Sequence, residues 1–180
     1  MLPAELIKHI LKDIKVELKD EFDKNFERKA FFNEKWVRRK YPYPNGTLMA
    51  RSGNLRRSIK ATISANGISF TSDLPYAAIH NEGGEITVTR KMKGFFWKMY
   101  YKEGGNIRKL KSGLNSKSKK SLQAEGIAGF YKAMALKKVG SKIKIPKRQF
   151  IGQHSSLEAT IREIIETNVM DYFNNLDIIK

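Results

Sequence analysis

The chain has 180 residues, and its 41% hydrophobic content is enough for a folded core and argues against global disorder; the length suits a single domain over residues 1–180. It carries 35 Lys and Arg against 18 Asp and Glu, a formal charge of +17, which points to a polyanion, an acidic protein surface or an anionic membrane as partner, or to a solvated basic surface. No apolar run approaches the roughly 20 residues of a membrane span, the acidic amphipathic start is not that of a signal peptide, and the absence of cysteine excludes disulfides, thiolate nucleophiles and zinc–thiolate sites.

Residues 3–35 are predicted to form a long amphipathic helix. Leu6, Ile7, Ile10, Leu11, Ile14, Leu18, Phe22 and Phe26 fall on one helical face. Pro3 suits a first turn, and Phe31, Phe32 and Trp36 crowd the end. Such a stripe is a core or subunit contact. Residues 38–47, with two prolines and Asn45-Gly46, break regular structure. Arg38, Arg39 and Lys40 stand there beside Tyr41 and Tyr43. Two readings stand for them: a grip on phosphates and bases, or a polar connector with its aromatics folded onto the body. Ser52 is a candidate cap for a short turn that points Leu55 and Ile59 inward. Ile59, Ala61 and Ile63 then alternate with polar residues, as do Ile68 and Phe70. Asn66-Gly67 between them is a two-residue turn signal, so an antiparallel hairpin with positive φ at Gly67 is expected.

Tyr76–His80 reads as a short turn or helix after Pro75, Gly83-Gly84 as a reversal, and Glu85–Thr89 as a third strand. Over Arg90–Tyr101 the period changes, and Met92, Phe95, Phe96, Met99 and Tyr100 give a helix with an aromatic face. Gly104–Lys120 is rich in Gly, Ser, Asn and Lys, ends on the basic run Lys117–Lys120, and is expected to be mobile. Leu122–Val139 returns to helical spacing, with Phe130 and Tyr131 on it and Gly140 at C′. Ser141–Ile145 is a fourth strand. Ser155 and Glu158 form a capping box before a C-terminal helix whose face is Leu157, Ile161, Ile164, Ile165, Val169, Tyr172 and Phe173. The sum is an α+β fold: a small antiparallel sheet of about four strands packed by long N-terminal and C-terminal helices. A helical insertion at approximately 86–144 consists of a helix, a basic flexible linker and a helix.

The chain offers no compelling catalytic constellation. His9, His80 and His154 are far apart and have no metal-ligand spacing. Asp73 and His80 would form a dyad if the chain turned between them, with Ser52, Ser58 or Tyr76 as nucleophile, but nothing like G-x-S-x-G supports it. A His80 held by backbone hydrogen bonds beside Glu82 accounts for it better. No glycine loop suited to phosphate is present. No catalytic, cofactor-binding or metal residue is assigned, and no cofactor is expected; the weight moves to binding and structural proteins.

Three segments stand out in order: Leu48-x-x-x-Ser-Gly-x-Leu-x-x-Ser-Ile59, Tyr76-Ala-Ala-Ile-His-Asn-Glu-Gly83 and Ile145-Pro-Lys-Arg-Gln-Phe-Ile-Gly152. Together they resemble the phage virion morphogenesis, or tail completion, proteins of Mu-like phages and prophages, over about residues 48–89 and 141–175. The resemblance implies a non-enzymatic structural protein that acts in tail completion and head–tail joining. Its place would be the bacterial host cytoplasm during assembly and then the virion, at the tail or head–tail junction. Its partners would be other phage tail and neck proteins, its state a homo-oligomer such as a ring, with no membrane involved. The resemblance marks Gly53, Leu55, Tyr76, Ala77, Ile79, His80, Gly83, Pro146, Arg148, Phe150 and Gly152 as structural signature residues. Pro75 and Pro146 would fix strand exits, and Arg148 is a candidate partner for Glu82. The long insertion departs from the family pattern.

Candidate interaction residues are Arg38, Arg39, Lys40, Arg56, Arg57, Phe95, Phe96, Trp97, Phe130 and Tyr131, the basic ones facing an acidic virion partner or the DNA path. The alternative reading, from the charge and the aromatic-basic stretches, is a basic nucleic-acid-binding accessory protein of a phage or mobile element. A hydrolase built on Asp73 and His80 is the third.

Overall fold

The computed structural model describes residues 2–39, 47–65, 67–104 and 107–177. In order they form α1 (Ala4–Arg28), β1 (Ala30–Phe31), β2 (Glu34–Lys35), α2 (Asn54–Arg57), β3 (Ile59–Ser64) and β4 (Gly67–Ser72). There follow α3 (Ala77–Glu82), β5 (Gly84–Thr87), α4 (Arg90–Gly104), α5 (Lys119–Ala135), β6 (Lys142–Ile145) and α6 (Ser155–Asp177). The fold is α+β. Two compact units divide the chain: the first takes residues 1–36, 49–82 and 147–180, the second residues 37–48 and 83–146. The four expected strands do not join in one sheet. They pair as two separate antiparallel ladders, β3–β4 and β5–β6, because one pair belongs to each unit; β1–β2 adds a third.

In the first unit α1 buries Leu6, Ile10, Ile14, Leu18, Phe22 and Phe26, mostly every fourth residue. The stripe is narrower than the sequence suggests, for Ile7 is exposed. Pro3 is the N-cap rather than a first-turn residue, its carbonyl accepting from the Ile7 N–H at 3.1 Å. The helix stops at Arg28, well before residue 35, because Lys29 takes a left-handed conformation, φ 54°. Phe32 does the same, φ 52°, and the chain turns through the short β1–β2 ladder. That reversal places Phe31 and Trp36 in the core.

α6 runs antiparallel to α1. His9 and Asn168 share a hydrogen bond of 2.9 Å, and the Asn168 amide donates to Asp13 at 3.2 Å. At the other end Leu157 joins the cluster of Leu18, Phe22 and Phe31. Ile161, Ile164, Val169 and Tyr172 pack against that cluster, whereas Ile165 and Phe173 face solvent. The expected capping box is displaced by one residue. His154 is the cap: its Nδ1 accepts from the Ser156 N–H at 3.1 Å, and its carbonyl accepts from the Leu157 N–H at 3.0 Å.

β3 and β4 pair with Ile59 opposite Ser72 and Ser64 opposite Gly67. The turn therefore comes one residue earlier than Asn66-Gly67, and Asn66 lies outside the described residues. The register moves by two, which leaves each side chain on its own face.

In the second unit β5 and β6 pair with Ile86 opposite Ile143. Two backbone bonds extend the ladder, from Val88 N–H to the Ser141 carbonyl and from Gly140 N–H to the Val88 carbonyl. Gly140 thus belongs to the turn into β6 and is not the C′ residue of α5, which already ends at Ala135. The start of α5 is also earlier than Leu122: Ser118 is the N-cap and its side chain accepts from the Ser121 N–H. Ala124, Ala128 and Ala135 are buried on α5 with Ile127 and Tyr131; small residues there let α4 approach closely. Between the helices the Ser116 N–H donates to the Arg108 carbonyl at 2.6 Å, and Lys109 bridges Asn115.

Gly67 has φ +119°, and a Cβ there would meet nothing within 4 Å. Replacing it tests backbone strain alone. Gly67→Ala and Gly67→Asn are each expected to lower stability by about 1–3 kcal/mol, since φ +119° lies beyond the left-handed well that Asn tolerates. Chemical denaturation of the three proteins measures it; equal midpoints would show that the hairpin relaxes at no cost.

Candidate functional site

The signature segment over residues 147–152 has no strand partner. It runs through the first unit as an extended rib, and its backbone polar groups need partners from elsewhere. The Arg148 N–H donates to the His80 carbonyl at 2.8 Å. The Gln149 carbonyl accepts from Trp36 Nε1–H at 2.6 Å. Asn81 Oδ1 accepts from both the Phe150 N–H at 2.9 Å and the Ile151 N–H at 3.1 Å. The Phe150 carbonyl accepts from Asn25 Nδ2 at 3.2 Å, and Asn25 Oδ1 accepts from the Phe32 N–H at 2.9 Å. Asn25 and the Phe150 side chain are both fully buried. The Phe150 ring lies 5.4 Å from that of Phe26, which meets Trp36 edge-on at 5.6 Å. At the end of the rib Gly152 has φ +142°, and a Cβ there would sit 2.5 Å from the Gln149 amide.

The next residues continue the clamp. His154 stacks on Phe32 at 4.2 Å and meets Phe31 edge-on. Its Nδ1 is occupied as an acceptor at the helix cap, which leaves Nε2–H to donate to Asn33 Oδ1 at 3.3 Å. The end of α1, the β1–β2 turn, α3 and the start of α6 are thereby tied to one short segment.

Beside the rib opens a groove. Leu18 and Phe22 of α1, Ile68 and Phe70 of β4, and Ile151, Leu157 and Ile161 form its apolar lining, with Asn81, Glu82, His154 and Glu158 as polar members. Phe22 and Phe70 meet edge-on at 4.8 Å. A surface of this kind suits a partner's apolar side chains framed by hydrogen-bonding groups.

The structure brings His80, Arg148, Phe150 and Gly152 into this first unit, where Leu55 of α2 and Ala77 of α3 are also buried. Tyr76 is exposed and meets His80 edge-on at 6.1 Å. Ile79 is half-buried on α3, Gly53 is the N-cap of α2, and Gly83 and Pro146 belong to the second unit. The His80 ring is not held by the backbone: its Nδ1 is buried without a hydrogen-bond partner, while its main chain makes the bonds. Burial and the adjacent Arg148 charge hold the imidazole below its ordinary value of 6.5. Asp73 pairs instead with Lys60, so Asp73 and His80 do not meet as a dyad. Glu82 is exposed, whereas Arg148 is buried.

The candidate interaction residues are scattered. Arg56 reaches α1 and pairs with Asp23 and Glu27. Arg57 donates to the Ser52 carbonyl and to Asn54. Arg38 is exposed, Arg39 donates to the Thr47 carbonyl, and Lys40 lies outside the described residues. In the second unit the expected aromatic face splits. Phe96 is half-buried and tilted against Tyr131, which neighbours Phe130, while Trp97 packs with Tyr100 and Tyr101. Phe95 faces solvent with 54% of its surface exposed.

Asn25, Trp36 and Asn81 went unread in the sequence as partners of the rib. For Asn25 a signal existed: it sits three residues after Phe22 and one before Phe26, a lone polar residue on the apolar stripe of α1, which implies a buried hydrogen-bonding duty.

A family model described as the phage virion morphogenesis family matches residues 8–170. No curated protein and no solved structure gives a significant match. The matched span includes α1 from its second turn, the whole rib and most of α6.

Asn25→Leu would leave the Phe32 N–H and the Phe150 carbonyl buried without partners. At about 1–3 kcal/mol per orphaned group, a loss of about 3 kcal/mol is expected in urea denaturation; a loss under about 1 kcal/mol would show that the rib is held without it. A second prediction concerns pH. As pH falls through about 6.5 the unfolded His80 takes up a proton and the folded one resists, so the unfolded state binds more protons and stability falls. The urea midpoint should drop between about pH 7.5 and about pH 5.5, and His80→Gln should shrink that drop. An identical drop in the variant would assign the dependence to other groups.

Proposed function

The chain belongs to the phage virion morphogenesis family, and on that footing we propose that it completes the phage tail and joins it to the head, as a non-enzymatic protein. The family gives it a structural or assembly role in the virion. The match over residues 8–170 is the observation that carries the finer reading, because it includes the rib and its clamps as well as the segments that resemble tail completion proteins. A part that must present a fixed surface to a neighbour gains from a rigid internal brace, and this is what the Asn25, Trp36 and Asn81 contacts supply.

The proposed partners are other tail and neck proteins and further copies of the chain. A ring needs heterologous contacts, one face of a subunit against a different face of the next. Two features of the first unit support such contacts: the apolar groove beside the rib, and the outer side of α6, where Met170, Phe173 and Leu176 are exposed at helical spacing. Exposed apolar residues grouped in this way mark interaction surfaces. No helix among the described residues is long and apolar enough to cross a membrane.

Deleting the gene is expected to leave filled heads and separate or unstable tails in the lysate, with DNA replication unaffected. Electron microscopy and DNA quantification read both. A Met170→Ser, Phe173→Ser double variant should be soluble and folded yet fail to complement. Infectious particles from the deletion strain would overturn the assembly role.

A further inference from the structure

The charge of the chain is not spread over it. The second unit, residues 37–48 and 83–146, holds 19 Lys and Arg against 3 acidic residues, a net +16, while the rest holds 16 against 15, a net +1. Three carboxylates cannot neutralise nineteen cations. Glu85 takes Lys142 at 2.9 Å, and Glu125 accepts from Asn115. In the first unit, by contrast, Lys24, Arg28, Arg56 and Lys60 each pair with carboxylates of that unit.

The solvent side of α4 gives this charge a defined surface. Lys91, Gly94, Phe95, Lys98 and Tyr101 are all exposed, and their i, i+3, i+4, i+7 and i+10 spacing puts them on one face of the helix. The opposite residues Met92, Phe96 and Met99 are half-buried. The face carries lysines, two exposed rings and no acid.

Composition selects the partner. Fifteen of the nineteen cations are Lys and four are Arg. Lys is depleted in protein–protein interfaces, where Arg and aromatics dominate, whereas contacts to a phosphate backbone are drawn from Lys and Arg alike and need no fixed geometry. An anionic membrane is matched by a helix with a broad apolar face turned outward, and that side of α4 is the half-buried one. We propose that the second unit, with the solvent face of α4 as a principal contact, binds the phosphate backbone of duplex DNA without sequence preference. This goes beyond the tail-completion reading and does not depend on it, since purified protein suffices for the test.

The test is fluorescence anisotropy of the full chain with two labelled duplexes of unrelated sequence across a salt series. Equal affinity for both is expected, with log K falling linearly in log salt by about 0.9 per phosphate contacted. Lys91→Gln with Lys98→Gln should make that slope shallower by about 1.8 and weaken binding about tenfold or more at low salt. Lys12→Gln with Lys19→Gln, on α1 in the first unit, should leave both unchanged. No binding at low salt, equal loss in the α1 variant, or preference for one duplex would each overturn the proposal. So would competition by polyglutamate, or by phosphatidylserine vesicles, as strong as by unlabelled DNA of equal charge. Failure of this test leaves the deletion phenotype untouched, so the two readings fall separately.

Discussion

A buried backbone with no strand beside it is the constraint around which the first unit is organised. The rib over residues 147–152 enters the core to deliver Phe150, whose side chain is fully buried, a burial that contributes about 2–3 kcal/mol. Its amides and carbonyls lose water in the process, and each left unpaired would cost about as much as the ring gains. Two asparagines, one indole and one main-chain carbonyl meet that demand, from α1, the segment after β2, and α3. Asn25 is the most constrained, because it donates to the rib and accepts from Phe32 at once. Sliding α1 by one residue would break both bonds and turn Phe22 and Phe26 off the core, so the amide fixes the register that the apolar stripe alone leaves loose.

This changes what the signature residues signify. Phe150 and Arg148 are buried, and Ala77 is too; they resemble a family pattern because they hold the scaffold. What the scaffold displays is the groove beside the rib, the outer side of α6 and the basic surface of the second unit, the surfaces we propose for contact with partners. Arg56 illustrates the same division. It counts as a surface cation in the sequence, yet it ties α2 to α1 through Asp23 and Glu27.

Elements with a clear period were legible in the sequence, and their ends and partners were not. The repeating apolar residues from Leu6 to Phe26 define α1, and the alternation around Ile59–Phe70 defines a hairpin. The stop at Lys29 was hidden because a Lys and a Phe, rather than a glycine, take positive φ. The cap of α6 was misplaced by one residue because Ser155 is the better capping type, while His154 is held there by Phe31, Phe32 and Asn33, contacts from far along the chain. Period two tells which face a strand residue occupies and not which strand it joins, so one sheet of four strands and two separate ladders read alike. The split of Phe95 from Phe96 has the same origin. Adjacent aromatics on a helix lie about 100° apart, and only α5, packed on one side, decides which is covered.

The segregation of charge bears on how the two units keep their stability. Partly exposed ion pairs such as Arg28–Glu21 or Lys24–Asp20 contribute little each, about 0–1 kcal/mol, but the first unit is close to neutral overall. The second unit, with three acidic residues against nineteen cations, can cancel little of its charge. Its cations repel one another over the screening length of about 8 Å at physiological salt, and that repulsion opposes the packing of α4 on α5, where Phe96 meets Tyr131. A fold does not need this excess, since net charge sets partners and association rather than architecture. Salt screens that repulsion. The unit that carries the excess is thus also the one whose stability depends on ionic strength.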